Sequence, residues 1–344
     1  LILKWRRILI GFHNQLILYI FLGFISSAIF TPVVFYFARR LKAGQQILEY
    51  VKEHKIKEGT PTFGGLIFII PTVLCGLAIL KKDSTLAILT LSATLSFGLL
   101  GFLDDFIKIK FKQNQGLKAY QKLVGQIGIG AILSYFVYSY VGTQVYVPFT
   151  LTLIDLGVFI MPLVFFVFIA LVNSTNLIDG LDGLSGSVTL FYLLGIMAFV
   201  LMFFSSFEFS NMQSNEIKNL LGIGSVFVGG ILTYLCVNIY PAKIFMGDTG
   251  SLALGGFIAA FTVFLRQTLL IPIIGIMFVL TALSDVLQVG YYKLKKKRIF
   301  KMAPLHHHFQ MSGVHENKIV FYYVMITLFV SLANILITSL VRGI

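Results

Sequence analysis

The sequence predicts an all-α, polytopic membrane bundle of about ten transmembrane helices, and three observations lead there. Of its 344 residues 57% are hydrophobic, with a mean hydropathy of +0.90, and only 12% are charged. A soluble domain carries about twice that share of charge. Apolar runs long enough to cross a bilayer recur along the chain with short connections between them. Those runs lack the polar–apolar alternation of a membrane β-barrel, and helices satisfy the backbone hydrogen bonds that lipid cannot.

Taken in order, the predicted spans are 16–38, 62–80, 86–103, 124–141, 156–172, 184–204, 220–237, 251–265, 269–289 and 319–340. The first is too long for the apolar region of a signal peptide and reads as a retained span. The eighth is short and glycine-rich, a pattern for tight helix packing or a discontinuous span. The ninth carries Asp285 and Gln288 near its end and is expected to bend or break there. The loop 143–154 alternates around Pro148 and is expected to form a small β-hairpin. The stretch 298–312 supplies Ile299, Phe300, Met302 and Leu305 for a short helix along the membrane surface. Cys75 and Cys236 lie in apolar stretches without metal-ligand spacing and read as packing residues. All of 1–344 reads as one integral membrane domain.

Most of the 27 Lys and Arg fall in loops on one side of these spans, around Arg39–Arg40, Lys108–Lys122 and Lys293–Lys301. The positive-inside rule then puts both termini, and the hairpin, on the extracytoplasmic side. The net charge of +13 is read as this bias plus attraction to anionic membrane lipid. Nucleic-acid binding is not expected, because the basic residues sit in short loops between spans.

With that orientation the polar motifs GFLDDF, NLIDGLDG, FMGDTG and PLHHHF all fall at the cytoplasmic face. Carboxylates beside hydrocarbon are costly and mark function. Asp104 and Asp105 are adjacent, so on a helix they point about 100° apart and need not serve the same atom. They are either a structural pair at a helix end or part of a site, with the lysines of 108–122 directly behind them. Asn176, Asp179 and Asp182 recur every third residue, which suits one side of a turn or short helix; an Asn/Asp/Gly turn is the alternative. Asp248 is placed to cap the eighth span, which would still leave a carboxylate oxygen free for a cation. Three successive histidines, His306, His307 and His308, point in different directions and make no zinc site by themselves. Oxygen donors of this kind suit a hard cation, Mg²⁺ or Mn²⁺. A cation-coupled transporter would line a path near the midplane instead of gathering its polar groups at one end.

The blocks GTPTFGG (59–65), FLDDFIK, NLIDGLDG, FMGDTGSLALGG and PLHHHFQ together resemble the polyprenyl-phosphate N-acetylhexosamine-1-phosphate transferases. The histidine block resembles their phospho-N-acetylmuramoyl-pentapeptide transferase branch. Gln310 stands where members often carry Glu. The resemblance implies a bacterial inner-membrane enzyme that transfers phospho-N-acetylmuramoyl-pentapeptide from UDP-N-acetylmuramoyl-pentapeptide to undecaprenyl phosphate, giving lipid I and UMP. It also implies Mg²⁺ and a homodimer. A relative using UDP-N-acetylglucosamine is the nearest alternative.

Carried onto this sequence, the resemblance assigns Asp104 to orient or deprotonate undecaprenyl phosphate. Asp105 is assigned to the diphosphate region with Lys108 or Lys122. Asp248 becomes a Mg²⁺ ligand, with Asn176 and Asp179 contributing to its shell. Asp182, Asn238 and Phe245 go to the uridine side. Lys57, His306, His307 and His308 contact phosphate or hold the loops that do. Gly180, Leu181 and Gln288 complete the expected substrate-binding set. Direct attack by the lipid phosphate is expected over a phospho-aspartate intermediate, because both substrates already bring phosphates.

Overall fold

The computed structural model describes residues 2–41, 59–113, 115–207 and 211–343. It is an all-α bundle with one small hairpin. The helices are α1 (Ile2–Arg40), α2 (Leu66–Ile79), α3 (Thr85–Lys110), α4 (Ala119–Phe136), α5 (Ile160–Ile178), α6 (Leu184–Met202), α7 (Asn211–Asn238), α8 (Gly247–Phe264), α9 (Ile271–Ile274), α10 (Ile276–Lys295), α11 (Leu305–Gln310) and α12 (Glu316–Arg342). Strands β1 (Gln144–Tyr146) and β2 (Leu153–Asp155) pair antiparallel with Val145 opposite Ile154, which is the hairpin expected in 143–154.

Among the described residues, eight helices are long and apolar enough to cross a membrane, or nine if α9 and α10 with the short turn before them count as one bent span. At 14 residues, α2 falls short of that length.

The bend in the ninth segment corrects the sequence expectation. It lies at Gly275, where the axis turns by 77° between α9 and α10. Pro272 sits in the first turn of α9, and Gly275 ends α9 while starting α10. Asp285 and Gln288 lie farther on, inside the unbroken α10. The expected surface helix over 298–312 is confined to α11, six residues long.

At the centre stands α8, buried from Thr249 to Phe264 and packed on α3 and α5. Small residues allow that approach. A Cβ at Gly255 would collide with Thr175 Oγ1, and one at Gly101 of α3 with the carbonyl of Asp248. The glycine-rich eighth span is thus a continuous, tightly packed helix. Outer helices present apolar surface to lipid, as Leu18 and Ile29 on α1 and Phe329 and Leu340 on α12 do.

α3 and α5 run toward the end of the bundle where α8 begins. The opposite end of α3 is held by the buried Glu216 of α7, which accepts from the amides of Thr85 (3.2 Å) and Leu86 (2.9 Å).

Candidate active site

Three carboxylates meet where α3 ends and α8 starts. One oxygen each from Asp104, Asp105 and Asp248 lies within 4.8 Å of the others. Asp104 and Asp105 are buried, and Asp248 is partly exposed.

Asp105 accepts from Thr249 N–H (2.8 Å), Thr249 Oγ1 (2.7 Å) and Asp248 N–H (3.2 Å). It therefore satisfies the free amides at the start of α8 from a neighbouring helix. That removes the capping role considered for Asp248, whose own carboxylate is left to face the site. Gly247 makes the approach possible. Its φ of +72° suits glycine, and a Cβ there would lie 2.5 Å from Asp105 Oδ2. Asp104 accepts from Leu117 N–H at 2.8 Å, which folds the loop after α3 back over the cluster.

Two lysines complete the cluster. Lys108 Nζ stands among all three carboxylates, 2.5 Å from Asp104 Oδ2, 3.2 Å from Asp248 Oδ2 and 3.7 Å from Asp105 Oδ1. Lys122 Nζ on α4 lies 2.8 Å from Asp248 Oδ2. Asn176, in the last turn of α5, donates to Asp248 Oδ1 (2.8 Å) and to Ser251 Oγ (2.9 Å). Below this level, Gln126 of α4 and Asn173 of α5 exchange two amide hydrogen bonds, of 2.8 and 3.3 Å.

The cluster already seats an ammonium group among oxygen ligands, and its three carboxylates outnumber its two lysines. Its donors thus fit a divalent cation. The group that gathers here is Asp104, Asp105 and Asp248, whereas the sequence reading put Asn176 and Asp179 beside Asp248. Asn176 does reach Asp248, but with its amide N–H₂. Asp179 ends α5. Burial first, and then the charges of Asp248, Asp105 and Asp182, raise its carboxyl well above the ordinary range.

α5 stops at Ile178, so Asp179 and Asp182 lie in the turn that follows it, as the Asn/Asp/Gly turn alternative had it. Asp182 accepts from Ala242 N–H at 3.0 Å. Asn238 accepts from Gly183 N–H (3.0 Å) and donates to Ile244 O (2.9 Å). Phe245 is half-buried, and its N–H donates to Pro61 O at 2.8 Å. These three residues all anchor the connection between α7 and α8. Leu181 is buried just before α6. Gln288 has both ends of its amide taken up by the backbone of Ile299 and Phe300.

The histidines separate as their spacing implied. His306 is fully buried, and neither ring nitrogen has a hydrogen-bond partner. Gly180 lies against it, since a Cβ there would strike His306 Nε2 and come within 2.9 Å of His307 Nε2. Burial, with His307 adding to it, holds the His306 imidazole well below its ordinary pKa. His307 Nδ1 pairs with Gln310 Oε1 at 3.1 Å. His308 Nδ1 accepts from Lys301 N–H at 3.1 Å, bracing the loop. Lys57 lies outside the described residues.

Sequence reasoning missed Thr249, Ser251, Gln126 and Asn173. The first two stand inside the FMGDTGS block, where the DT and GS pairs were visible. Gln126 was legible only as a lone amide in an apolar run.

A helical membrane bundle with carboxylates and lysines gathered at one end of its helices has the equipment of a transferase acting on phosphates. Residues 86–266 match the family model described as glycosyl transferase family 4. Proteins described as phospho-N-acetylmuramoyl-pentapeptide-transferase are similar over nearly the whole chain. That of Thermoanaerobacter sp. (strain X514) is 42% identical over 316 residues, covering 92% of this chain and 96% of its own. Those of Clostridium novyi (strain NT) and Clostridioides difficile (strain 630) are each 40% identical, covering 92% of this chain and 95% of their own. The chain belongs to the phospho-N-acetylmuramoyl-pentapeptide-transferase family.

Proposed function

We propose that this protein transfers phospho-N-acetylmuramoyl-pentapeptide from UDP-N-acetylmuramoyl-pentapeptide to undecaprenyl phosphate, giving lipid I and UMP in peptidoglycan synthesis. The observation that carries the reading is the convergence of Asp104, Asp105 and Asp248 with Lys108 and Lys122 in a chain of this family. One substrate is a water-soluble polyanion and the other has a long hydrocarbon tail. Their phosphates can meet only where a site stands at the boundary between water and lipid.

The whole chain acts as one domain in the bacterial inner membrane. Counting α2 and the bent α9–α10 pair as spans makes ten, with both termini extracytoplasmic and the carboxylate cluster facing the cytoplasm. The loop lysines support this orientation. The working form is a homodimer.

In the reaction, an oxygen of the lipid phosphate forms a bond to the β-phosphorus of the UDP-sugar. The bond from that phosphorus to the oxygen bridging to the α-phosphate breaks, and UMP leaves with that oxygen. Asp104 orients the lipid phosphate and takes its proton when it arrives protonated. Lys108 and Lys122 bring positive charge to the diphosphate, lowering repulsion between the two anions and stabilising the leaving group. Asp105 holds the start of α8, and so Asp248, in place. Asp248 with its carboxylate neighbours would hold Mg²⁺, with Asn176 and Asp179 beside them, and the ion would supply further positive charge at the diphosphate. The connection anchored by Asp182 and Asn238, with Phe245 on it, receives the uridine, and His306, His307 and His308 hold the loop beside Gly180 that borders the phosphates.

The test uses purified protein with undecaprenyl phosphate and either UDP-N-acetylmuramoyl-pentapeptide or UDP-N-acetylglucosamine, with and without Mg²⁺. Lipid I and equimolar UMP are expected from the muramoyl donor alone, and only with both lipid and metal. Turnover of UDP-N-acetylglucosamine in its place would overturn the substrate assignment. UMP release without lipid, together with a trapped phospho-aspartate, would overturn direct attack.

A further inference from the structure

At the end of the bundle opposite the carboxylates, a cavity of about 490 Å³ opens between α1, the end of α2 and the start of α7. From this level to Asp105 is roughly 30 Å, since about 20 helical residues of α3 separate them. Lys81, Lys82 and Lys218 line the cavity. Among the described residues none of these three ammonium groups has an ion-pair partner. Two acids lie near, and neither forms an ion pair with these lysines. Asp83 accepts from Asn215 Nδ2 at 3.3 Å. Glu216 is buried at the amides of α3 and accepts from Tyr140 OH at 3.0 Å. The backbone carrying Lys82 is fixed by Asn219, which donates to the carbonyls of Lys82 (3.1 Å) and Asp83 (3.0 Å). The lysine pair is therefore presented from a held turn. The other wall is α1, with Phe12 and Tyr19 facing the cavity and apolar residues such as Leu18 exposed around them.

We infer that this cavity binds the phosphate of an anionic glycerophospholipid from the leaflet away from the active site. Three lysines without an ion pair outnumber the one carboxylate beside them, Asp83, and select an anion, the volume suits a lipid headgroup, and the exposed apolar flank of α1 gives the acyl chains a surface continuous with the bilayer. A soluble phosphate would make no use of that flank. The inference does not depend on the transferase reading.

The experiment is native mass spectrometry of delipidated full-length protein in detergent with phosphatidylglycerol or phosphatidylcholine added. Phosphatidylglycerol adducts are expected to exceed phosphatidylcholine adducts. Each lysine replaced by glutamine should weaken retention about fivefold, with the triple variant K81Q/K82Q/K218Q losing the preference. K81R/K82R/K218R, which keeps the charge, should retain it. Inorganic phosphate should not displace the lipid. The triple glutamine variant should elute as a single symmetric peak in detergent and unfold close to the wild-type thermal midpoint, showing that it is folded. Equal adducts of the two lipids, or an undiminished preference in the folded triple variant, would overturn the inference. So would displacement by inorganic phosphate.

Discussion

The ammonium of Lys122 lies 2.8 Å from Oδ2 of Asp248, joining α4 to the first turn of α8. Lys122 also stands 3.4 Å from Asn176 Oδ1, and Asn176 donates to the other oxygen of Asp248. Three helices thus set the position of one carboxylate.

If Lys122 and Asp248 act as a unit, their losses will not add. Lys122→Met and Asp248→Asn are each expected to lower kcat by about 10²–10³-fold. The double variant should be no worse than Asp248→Asn alone to within about threefold. Steady-state UMP release by the four proteins checks this, and multiplicative losses would show independent roles.

Asp105 has a structural duty as well as its charge. Asp105→Ala leaves the Thr249 and Asp248 amides and the Thr249 hydroxyl without an acceptor, a cost of about 1–3 kcal/mol for buried groups. Asp105→Asn keeps an acceptor oxygen and should unfold closer to wild type. Thermal unfolding of the three proteins in detergent separates the two substitutions. Equal midpoints for Asn and Ala would remove the capping role.

Lys108 occupies the centre of the carboxylate group, so a metal ion and this ammonium compete for the same oxygens. Without substrates, Lys108→Met is expected to bind Mn²⁺ about tenfold or more tightly than wild type, since an adjacent positive charge is removed. Titration followed by electron paramagnetic resonance measures it. Unchanged or weaker affinity would place the ion elsewhere.

His306 predicts a direction for pH. Its folded-state pKa is depressed by burial, so the unfolded chain takes up a proton first as pH falls below about 6.5. The stability associated with neutral His306 is present above that value and is lost progressively toward the folded pKa. The thermal midpoint should therefore fall between pH 7.5 and 5.5, and fall less in His306→Gln. Equal slopes in the two proteins would contradict the assignment.

How much of this was legible in the sequence follows from which interactions are local. The helices and hairpin follow from apolar length and turn residues. The meeting of GFLDDF with FMGDTG was foreshadowed by their placement at one face of the membrane, while the packing of α3 on α8 was not. What the sequence could not reveal were the contacts across helices. Asp105, not Asp248, serves the start of α8, because Gly247 and Gly101 let α3 and α8 approach closely. Gln126 and Asn173 pair only through the α4–α5 packing. The bend lies at Gly275 because a proline and a glycine set it, while the polar Asp285 and Gln288 are accommodated inside an unbroken helix. The three-residue period of Asn176, Asp179 and Asp182 left helix and turn open, and the chain takes the turn because α5 ends at Ile178.

The central claim is that the carboxylates at the ends of α3 and α8 form one working site. The most direct test compares lipid I formation by wild type, Asp104→Asn, Asp105→Asn and Asp248→Asn, each shown to be folded, with both substrates and Mg²⁺ saturating. Loss of nearly all turnover in each variant is predicted; wild-type rates in all three would contradict the account.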